Sequence, residues 1–491
     1  MRVGGSTFAS VCLAVGTSLI AGCGGGGMGG SYSMGASAPP AASASVTFTS
    51  PTPGSIINFG RSVKLSWTST NVSSCTASMS SAMGGTFSGT QPATGSMTVV
   101  PTAPGSVTYT LSCTATSGGM AATGSMAVMV SASILSTLTM MTSIGSTVDP
   151  TEHGGNPYGL ALATSTAGLI TAGDLIVCNF NDGATNTQGA GTTIVGLHPA
   201  AGATPYRIAQ SPILQGCNAL AMLPDGSISA SAYTANQSAL VAPTGALSTP
   251  FAADTFHNPW GVAYVAANGA NPAALYVANA DGSIVRINLD GDAQTDVTQI
   301  ASGFCGSGQP GAIFAPAGLT YDASIDTLYI VDTSSDSVVA FANVSSIGAA
   351  GVVVAGNCAS VSAPPTPAPT FSGPAASSAR VIAHGAPFIA PISAALLANG
   401  DLIVGNGDVN IAADQTPNLV VEVSPVLPGG FVGQPVQLDA SGTPGALFGI
   451  VATTDPQLGQ LVYFNDDNTN TVMLLSGMAG SGSTGGMPMP Y

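Results

Sequence analysis

One pattern recurs six times between residues 133 and 477, and it constrains this chain more than any other feature. Each copy has an entry rich in Pro, Asn or Gly, then a small-apolar strand and a turn. A second strand ending in Asn or Asp follows, and then a third apolar strand. In one copy Asn156-Pro157-Tyr158-Gly159-Leu160-Ala161 leads to Gly173-Asp174-Leu175-Ile176-Val177 and Thr193-Ile194-Val195-Gly196-Leu197. In another Asn258-Pro259-Trp260-Gly261-Val262-Ala263 leads to Ala274-Leu275-Tyr276-Val277-Ala278-Asn279 and Ser283-Ile284-Val285-Arg286-Ile287. A third runs from Ala315-Pro316-Ala317-Gly318-Leu319 through Thr327-Leu328-Tyr329-Ile330-Val331-Asp332 to Ser337-Val338-Val339-Ala340-Phe341. Weaker copies start near Asn218, Pro391 and Gly449, with second strands at 227–232, 401–405 and 460–464. Such a unit cannot bury its apolar faces alone, so neighbouring copies must stack.

Six copies of about four strands each predict a six-bladed β-propeller. The glycine that follows proline in the first strand fits that ring, because inner strands crowd the axis and small residues let blades approach. The last copy supplies three strands, through 471–475. Residues 134–141 are strand-like and lie before the first copy, so they are expected to complete the last blade and close the ring, which removes exposed edges. Residues 352–388, rich in Pro and Ala, are expected to form a long loop; the alternative is a seventh blade. On these residues the segment resembles NHL-type propellers, a group similar to streptogramin-lyase and gluconolactonase-type propellers. The resemblance implies the fold and leaves the activity open.

Residues 46–131 alternate with period two between turn clusters of Gly, Ser, Thr and Pro. Val63, Leu65 and Trp67 fall on one face, as do Val107, Tyr109, Leu111 and Cys113. The segment resembles bacterial Ig-like modules of surface lipoproteins, on Val63-Lys64-Leu65-Ser66-Trp67, Ser74-Cys75-Thr76-Ala77 and Tyr109-Thr110-Leu111-Ser112-Cys113. The fold class is therefore all-β, an N-terminal Ig-like β-sandwich followed by a six-bladed propeller. Trp67 precedes both cysteines, whereas in antibody domains the tryptophan lies between them. A Cys75–Cys113 bond therefore need not join the two sheets. If formed, it stabilises so small a domain by about 4 kcal/mol through chain entropy. The sandwich is expected to act as a rigid spacer; the alternative is ligand binding.

Residues 1–22 read as a signal peptide, with Arg2 as its positive start and an apolar stretch from Phe8 to Ala21. The ending Leu19-Ile20-Ala21-Gly22-Cys23 resembles the lipobox of bacterial lipoproteins. The resemblance implies cleavage before Cys23, acylation of its thiol and anchoring by more than one acyl chain. Gly24 in place of Asp implies the outer membrane in a Gram-negative host. Residues 23–45, rich in Gly, Ser, Ala and Pro, are expected to be a tether, and residues 478–491 a disordered tail.

Charged residues make up only 6% of the 491, and mean hydropathy is +0.42. Past residue 22, however, no apolar run approaches the roughly 18 residues of a membrane span. Net charge is −16 and Lys64 is the one lysine. The arginines are scattered, which excludes nucleic acid as a partner class and makes docking to anionic lipid by charge equally unpromising. There are eight cysteines. Cys12 leaves with the signal peptide and Cys23 carries lipid. Spacing suggests Cys75–Cys113, Cys178–Cys217 and Cys305–Cys358, in an oxidising compartment, though spacing alone leaves other pairings open.

Antiparallel strands place the loop entering each first strand and the turn after each second strand on one face of the ring. That face collects Asn156, Asn218 and Asn258 from the entries. From the turns it collects Asn179, Asp182, Asn279, Asp281, Asp332, Asn406, Asp408, Asn465 and Asp466. His153, His257 and His384 also precede first strands. Oxygen donors with a few imidazoles are the set that would hold calcium or zinc at the axis. The competing reading takes Asn and Asp as ordinary turn residues. Gly306-Ser307-Gly308-Gln309-Pro310-Gly311 fits a dinucleotide fingerprint in letters only and is expected to be a loop. Asp290, Asp292 and Asp296 lack the glycine and glutamate of an EF-hand. No nucleophile or acid–base set stands out. The expectation is a non-catalytic envelope protein that binds a protein or glycan. The alternatives are a metal-dependent lyase or lactonase at the axis, and a purely structural component.

Overall fold

Period-two alternation builds two facing sheets at the N-terminal end of the computed structural model. It describes residues 43–477 except 59–61, 117–119, 132, 249–250, 252, 270, 292, 357–366, 408–415, 427–428, 440 and 442. The segments expected to be signal peptide and tail, Cys23 and most of the expected tether lie outside the described residues, as do Cys358, Asp292 and Asp408.

One sheet of the sandwich joins Ser45–Ser50, Val63–Thr70 and Gly95–Val99. The other joins Ile56–Asn58, Ala122–Ser131, Gly105–Ala115, Val72–Met79 and Gly89–Pro92. Leu65 and Trp67 meet Val107, Tyr109 and Leu111 in the core, each at most 1% exposed. Burying such side chains contributes about 1.5–3 kcal/mol each. Trp67 Nε1 donates to Pro92 O at 3.1 Å and Tyr109 OH to Gly84 O at 2.8 Å, so neither ring strands its polar atom. Cys75 and Cys113 are bonded and stand directly opposite each other on neighbouring strands of one sheet. The bond therefore runs within a sheet.

The remaining strands form six blades, each beginning with its innermost strand. The inner strands are Gly155–Leu162, Cys217–Met222, Pro259–Val265, Pro316–Asp322, Pro391–Leu396 and Ala446–Asp455. Each packs against the next, and the sixth packs against the first, so the ring closes. Second strands follow at Leu175–Asn181, Ile228–Ala232, Ala273–Asn279, Thr327–Asp332, Leu402–Asn406 and Gly459–Asp466. Leu138–Ser146 pairs with Thr471–Gly477 as the outer strand of the sixth blade. It starts later than the expected 134–141. Ile134 and Leu135 are bound instead by Glu422, and Leu135–Thr137 forms a single 3-10 turn.

Residues 352–388 correct the expectation of a long loop. Val352–Ala355 adds in parallel to Ala293–Ser302 of the third blade, and Thr370–Ser372 adds outside it. Ala379–His384 is the outer strand of the fourth blade. The connection thus crosses to a neighbour and covers its edge, which would otherwise expose unpaired backbone groups. The glycine-rich segment expected to be a loop is a tight hairpin, Ser307–Gln309 with Ala312–Phe314. The Asp290 segment is also a hairpin turn, joining Ile284–Asp290 to Ala293–Ser302. Cys178–Cys217 ties the second strand of the first blade to the inner strand of the second. Cys305 is disulfide-bonded, and its expected partner Cys358 lies outside the described residues.

Candidate functional site

All six inner strands break register near their start, where residues follow the proline-type entry. The break turns one residue of each strand toward the axis: Tyr158, Asn218, Trp260, Ala317, Ile392 and Phe448. The next residue is small: Gly159, Ala219, Gly261, Gly318, Ser393 and Gly449. A Cβ on Gly261 would stand 1.8 Å from Ala317 O, and one on Gly449 2.5 Å from Tyr158 O. The recurring glycine therefore permits blade-to-blade approach, as the sequence pattern implies.

The axis is closed by rings. Tyr158 lies flat between Phe180, at 4.1 Å and 5°, and Phe448, at 3.9 Å and 4°. Trp260 meets the edges of Phe180 and Tyr233 at 6.2 and 5.5 Å. Ile313, from the hairpin above, joins the same cluster. All six residues are buried. The channel left between the inner strands measures about 70 Å³. Small-molecule sites usually measure about 300–1,000 Å³. The expected polar axis is thus replaced by an aromatic plug.

The polar residues expected to line that axis are spent on backbone. Asn179 Nδ2 donates to Thr147 O at 2.9 Å, Asn279 Nδ2 to Thr255 O at 3.1 Å and Asn406 Nδ2 to Pro387 O at 3.0 Å. In each case the amide at the end of a second strand fastens the entry of its own blade. Asn218 Nδ2 reaches the next blade at Trp260 O, 3.1 Å, and Asn465 Nδ2 reaches the first blade at Tyr158 O, 3.0 Å. Asn156 and Asn258 adopt φ of 60° and 54°. Their N–H groups donate to Asn470 Oδ1 and Asn236 Oδ1 of the preceding blade, both at 2.5 Å. Asp182 caps its own turn through Thr185 N and Thr187 N, and these donors hold its carboxyl below the ordinary range. Asp281 caps Ser283 N at 3.0 Å, and Asp466 accepts from Thr469 N at 3.3 Å.

Asp332 takes the place that asparagine holds in the first, third and fifth blades, and Asp466 holds the same place in the sixth. It is 2% exposed and accepts from Ser334 Oγ at 2.7 Å and from Ser335 Oγ. Burial pushes its carboxyl up, against the pull of those hydroxyls.

The three histidines are not gathered. His153 is exposed in the first entry loop, at φ 59°. His257 is 58% exposed, with Nε2 3.8 Å from Asp281 Oδ2. His384 ends the outer strand of the fourth blade, opposite Ser337. Among the described residues no three of His, Cys, Asp and Glu converge as a metal ligand set. Asn179, Asn218, Asn406 and Asn465 each leave a buried Oδ1 without a protein partner, but these oxygens belong to four different blades. Calcium or zinc at the axis does not fit this arrangement, because rings fill the position and no set of charged ligands converges there among the described residues.

Three charged clusters escaped the sequence reading. On the opposite face of the ring, buried Asp174 binds His198 Nδ1 at 2.5 Å and accepts from Tyr206 OH at 2.6 Å. Burial and then that carboxylate push the Tyr206 hydroxyl far up. Asp149 is held in a fork by Arg207, with Nε at 2.8 Å. Burial draws its carboxyl upward, but Arg207 and the amides of Glu152 and Thr151 outweigh it and hold it low. Glu422 is the third. Each pairing joins residues distant in sequence, so no local spacing announces it.

No protein-family model matches the chain. No curated protein matches it in sequence. Among solved structures, a catalytically inactive virginiamycin B lyase from Staphylococcus aureus with quinupristin is similar at 13% identity and TM-score 0.40, covering 69% of this chain and 99% of that one. A PQQ-bound aldose sugar dehydrogenase from Streptomyces coelicolor is similar at 14% identity and TM-score 0.40, covering 69% and 98%. A nidogen/laminin complex is similar at 14% identity and TM-score 0.39, covering 62% and 85%.

Proposed function

We propose that this chain is a lipid-anchored envelope protein whose propeller binds a partner protein without catalysis. The lipobox-like ending at Cys23 supports the anchor, and the Ig-like pattern of residues 46–131 supports a spacer between anchor and ring. One observation carries the binding reading. The axial position, where a propeller enzyme would place its chemistry, is filled by Tyr158, Phe180, Trp260 and Phe448. The loops around it remain as a broad polar face of ample size for an ordinary interface.

A protein is favoured over a glycan by the aromatic residues. Among the described residues every Trp is buried and every Tyr and Phe is buried or only partly exposed, which leaves little ring surface as a platform for a sugar. Charge narrows the partner further. Arg207 is held by Asp149, Arg286 by Ser345 O and Ile347 O, and Arg380 by Pro425 O. The face therefore presents carboxylates and hydroxyls, which suit a basic partner surface.

The chain has one lysine, so amine cross-linkers are poor probes. A photo-reactive residue at His153 or His257 tests the polar face instead, with Leu169 and Ile325 on the opposite face as controls. The expected outcome is a common adduct at the two histidine positions in envelope-bearing cells, absent from the controls. Equal labelling of both faces, or none, sinks the proposal.

A further inference from the structure

The sandwich and the ring are separated by almost no chain. The last sandwich strand ends at Ser131, and Ser133 is already seated on the fifth blade. Its seat is Glu422, fully buried on the strand Leu419–Val423. Ser133 Oγ donates to Glu422 Oε2. Ile134 N donates to Oε1 at 3.1 Å and Leu135 N to Oε2 at 2.8 Å. Ser136 N folds back onto Ser133 Oγ at 3.1 Å, which keeps the donors converged. Leu135 and Leu138 then enter the core shared by the fifth and sixth blades, beside Val420, Leu438 and Leu447.

We infer that Glu422 is a latch that seats the connector at residues 133–136 and couples the sandwich rigidly to the propeller. An apolar residue there would share the face of Val420, yet would leave two connector amides and a hydroxyl unmet. The carboxylate is the one group on this strand with enough acceptor sites for all three donors. Without it the connector becomes a hinge of a few residues. The latch stands whether or not the ring binds a partner.

The latch is biased by acid. Burial pushes the Glu422 carboxyl up, the Ser133, Leu135 and Ile134 donors pull it down, and Asp401 pushes it up again. Asp401 is the charged neighbour that acts on it. The three lowering donors belong to the connector and are lost on release, so the seated carboxyl binds its proton less tightly than a released one still buried on its strand. Seating is therefore favoured by the ionised carboxylate and weakens as pH falls and Glu422 takes up its proton.

Hydrogen exchange of the full chain lacking Cys23 tests this at residues 133–137, in the wild type and in Glu422→Gln, which keeps one acceptor. The expected result is at least tenfold faster exchange of the Ile134 and Leu135 amides in the variant, with the first three blades unchanged. In the wild type, exchange corrected for its intrinsic rate should quicken as pH is lowered through the Glu422 value. Unchanged connector exchange in the variant overturns the latch. Faster exchange in every blade overturns it too, since Glu422 would then be ordinary core. If the variant does not fold, the wild-type pH series decides alone, and unchanged or slower corrected exchange in acid overturns it.

Discussion

The first and fourth blades each bury a carboxylate, and they hold it by opposite means. Asp149, at the entry to the first blade, has no exposed surface in its side chain and is gripped by the Arg207 guanidinium and two backbone amides. Its carboxyl lies below the ordinary range. Asp332, in the fourth blade, has only serine donors, and burial drives its carboxyl above that range. Asp336 nearby is raised as well, by burial first and by Asp332 in addition. A cation can offset the desolvation of a carboxylate, whereas a few neutral donors do so only in part. The first blade therefore depends on its ion pair, and the fourth carries a charge that its neighbours avoid by using asparagine.

The largest effect should come from breaking the pair. Arg207→Ala leaves Asp149 buried and uncompensated. Loss of a buried partner of this kind costs about 3–5 kcal/mol. Urea denaturation near neutral pH, followed by tryptophan fluorescence, should show a midpoint lowered by that amount. Part of the loss should return as pH falls, because without Arg207 burial raises the Asp149 carboxyl and it takes up a proton. A loss under about 1 kcal/mol would mean that Asp149 is solvated after all, and the contrast between blades would collapse.

How much of this contrast was legible follows from distance along the chain. The blades were readable because a propeller strand is made by neighbours: Pro259-Trp260-Gly261 and Ala317-Gly318 carry the small residue that the axis demands. Even the plug left a trace, since Tyr158, Trp260 and Phe448 all precede that glycine. The role of the asparagines was not readable. An amide that caps backbone and an amide that binds metal are the same residue in the same turn, and only the carbonyl it faces separates them. Asn179 finds Thr147, and Asn465 finds Tyr158 across the closure of the ring. The strand at Val352–Ala355 was missed for a related reason, because its partner belongs to another blade. Asp149 with Arg207, and Glu422 with the connector, are likewise long-range pairs.

A second, smaller effect concerns pH. Asp332, Asp336, Glu422 and Asp466 are all raised, chiefly by burial. Stability from a raised carboxyl is fully present below its unfolded value and is lost as pH rises through its folded value. Asp149, Asp182 and Asp439 are lowered, so their contribution is present above the ordinary value of 3.8 and is lost as pH falls through their folded values. The chain should therefore gain stability on acidification from about pH 7 to about pH 5, by on the order of 1–3 kcal/mol, and lose it below about pH 4. Denaturation midpoints across that range check the profile. A monotonic fall with acid would show that the Asp149 type of site dominates everywhere.

The smallest effect is the sharpest, because it converts one blade into its neighbours. Asp332→Asn installs the residue found at Asn179, Asn279 and Asn406. The amide carbonyl can still accept from Ser334 or Ser335, and its NH2 can reach the entry carbonyls, as Asn406 does at Pro387 O. No buried charge remains. The expected gain is on the order of 1 kcal/mol near pH 7. It should shrink as pH falls through the raised Asp332 value, below which the wild-type carboxyl is protonated and equally neutral. A gain independent of pH would trace the effect to hydrogen-bond geometry alone. A loss at neutral pH would mean that the fourth blade uses its carboxylate for something its neighbours do not.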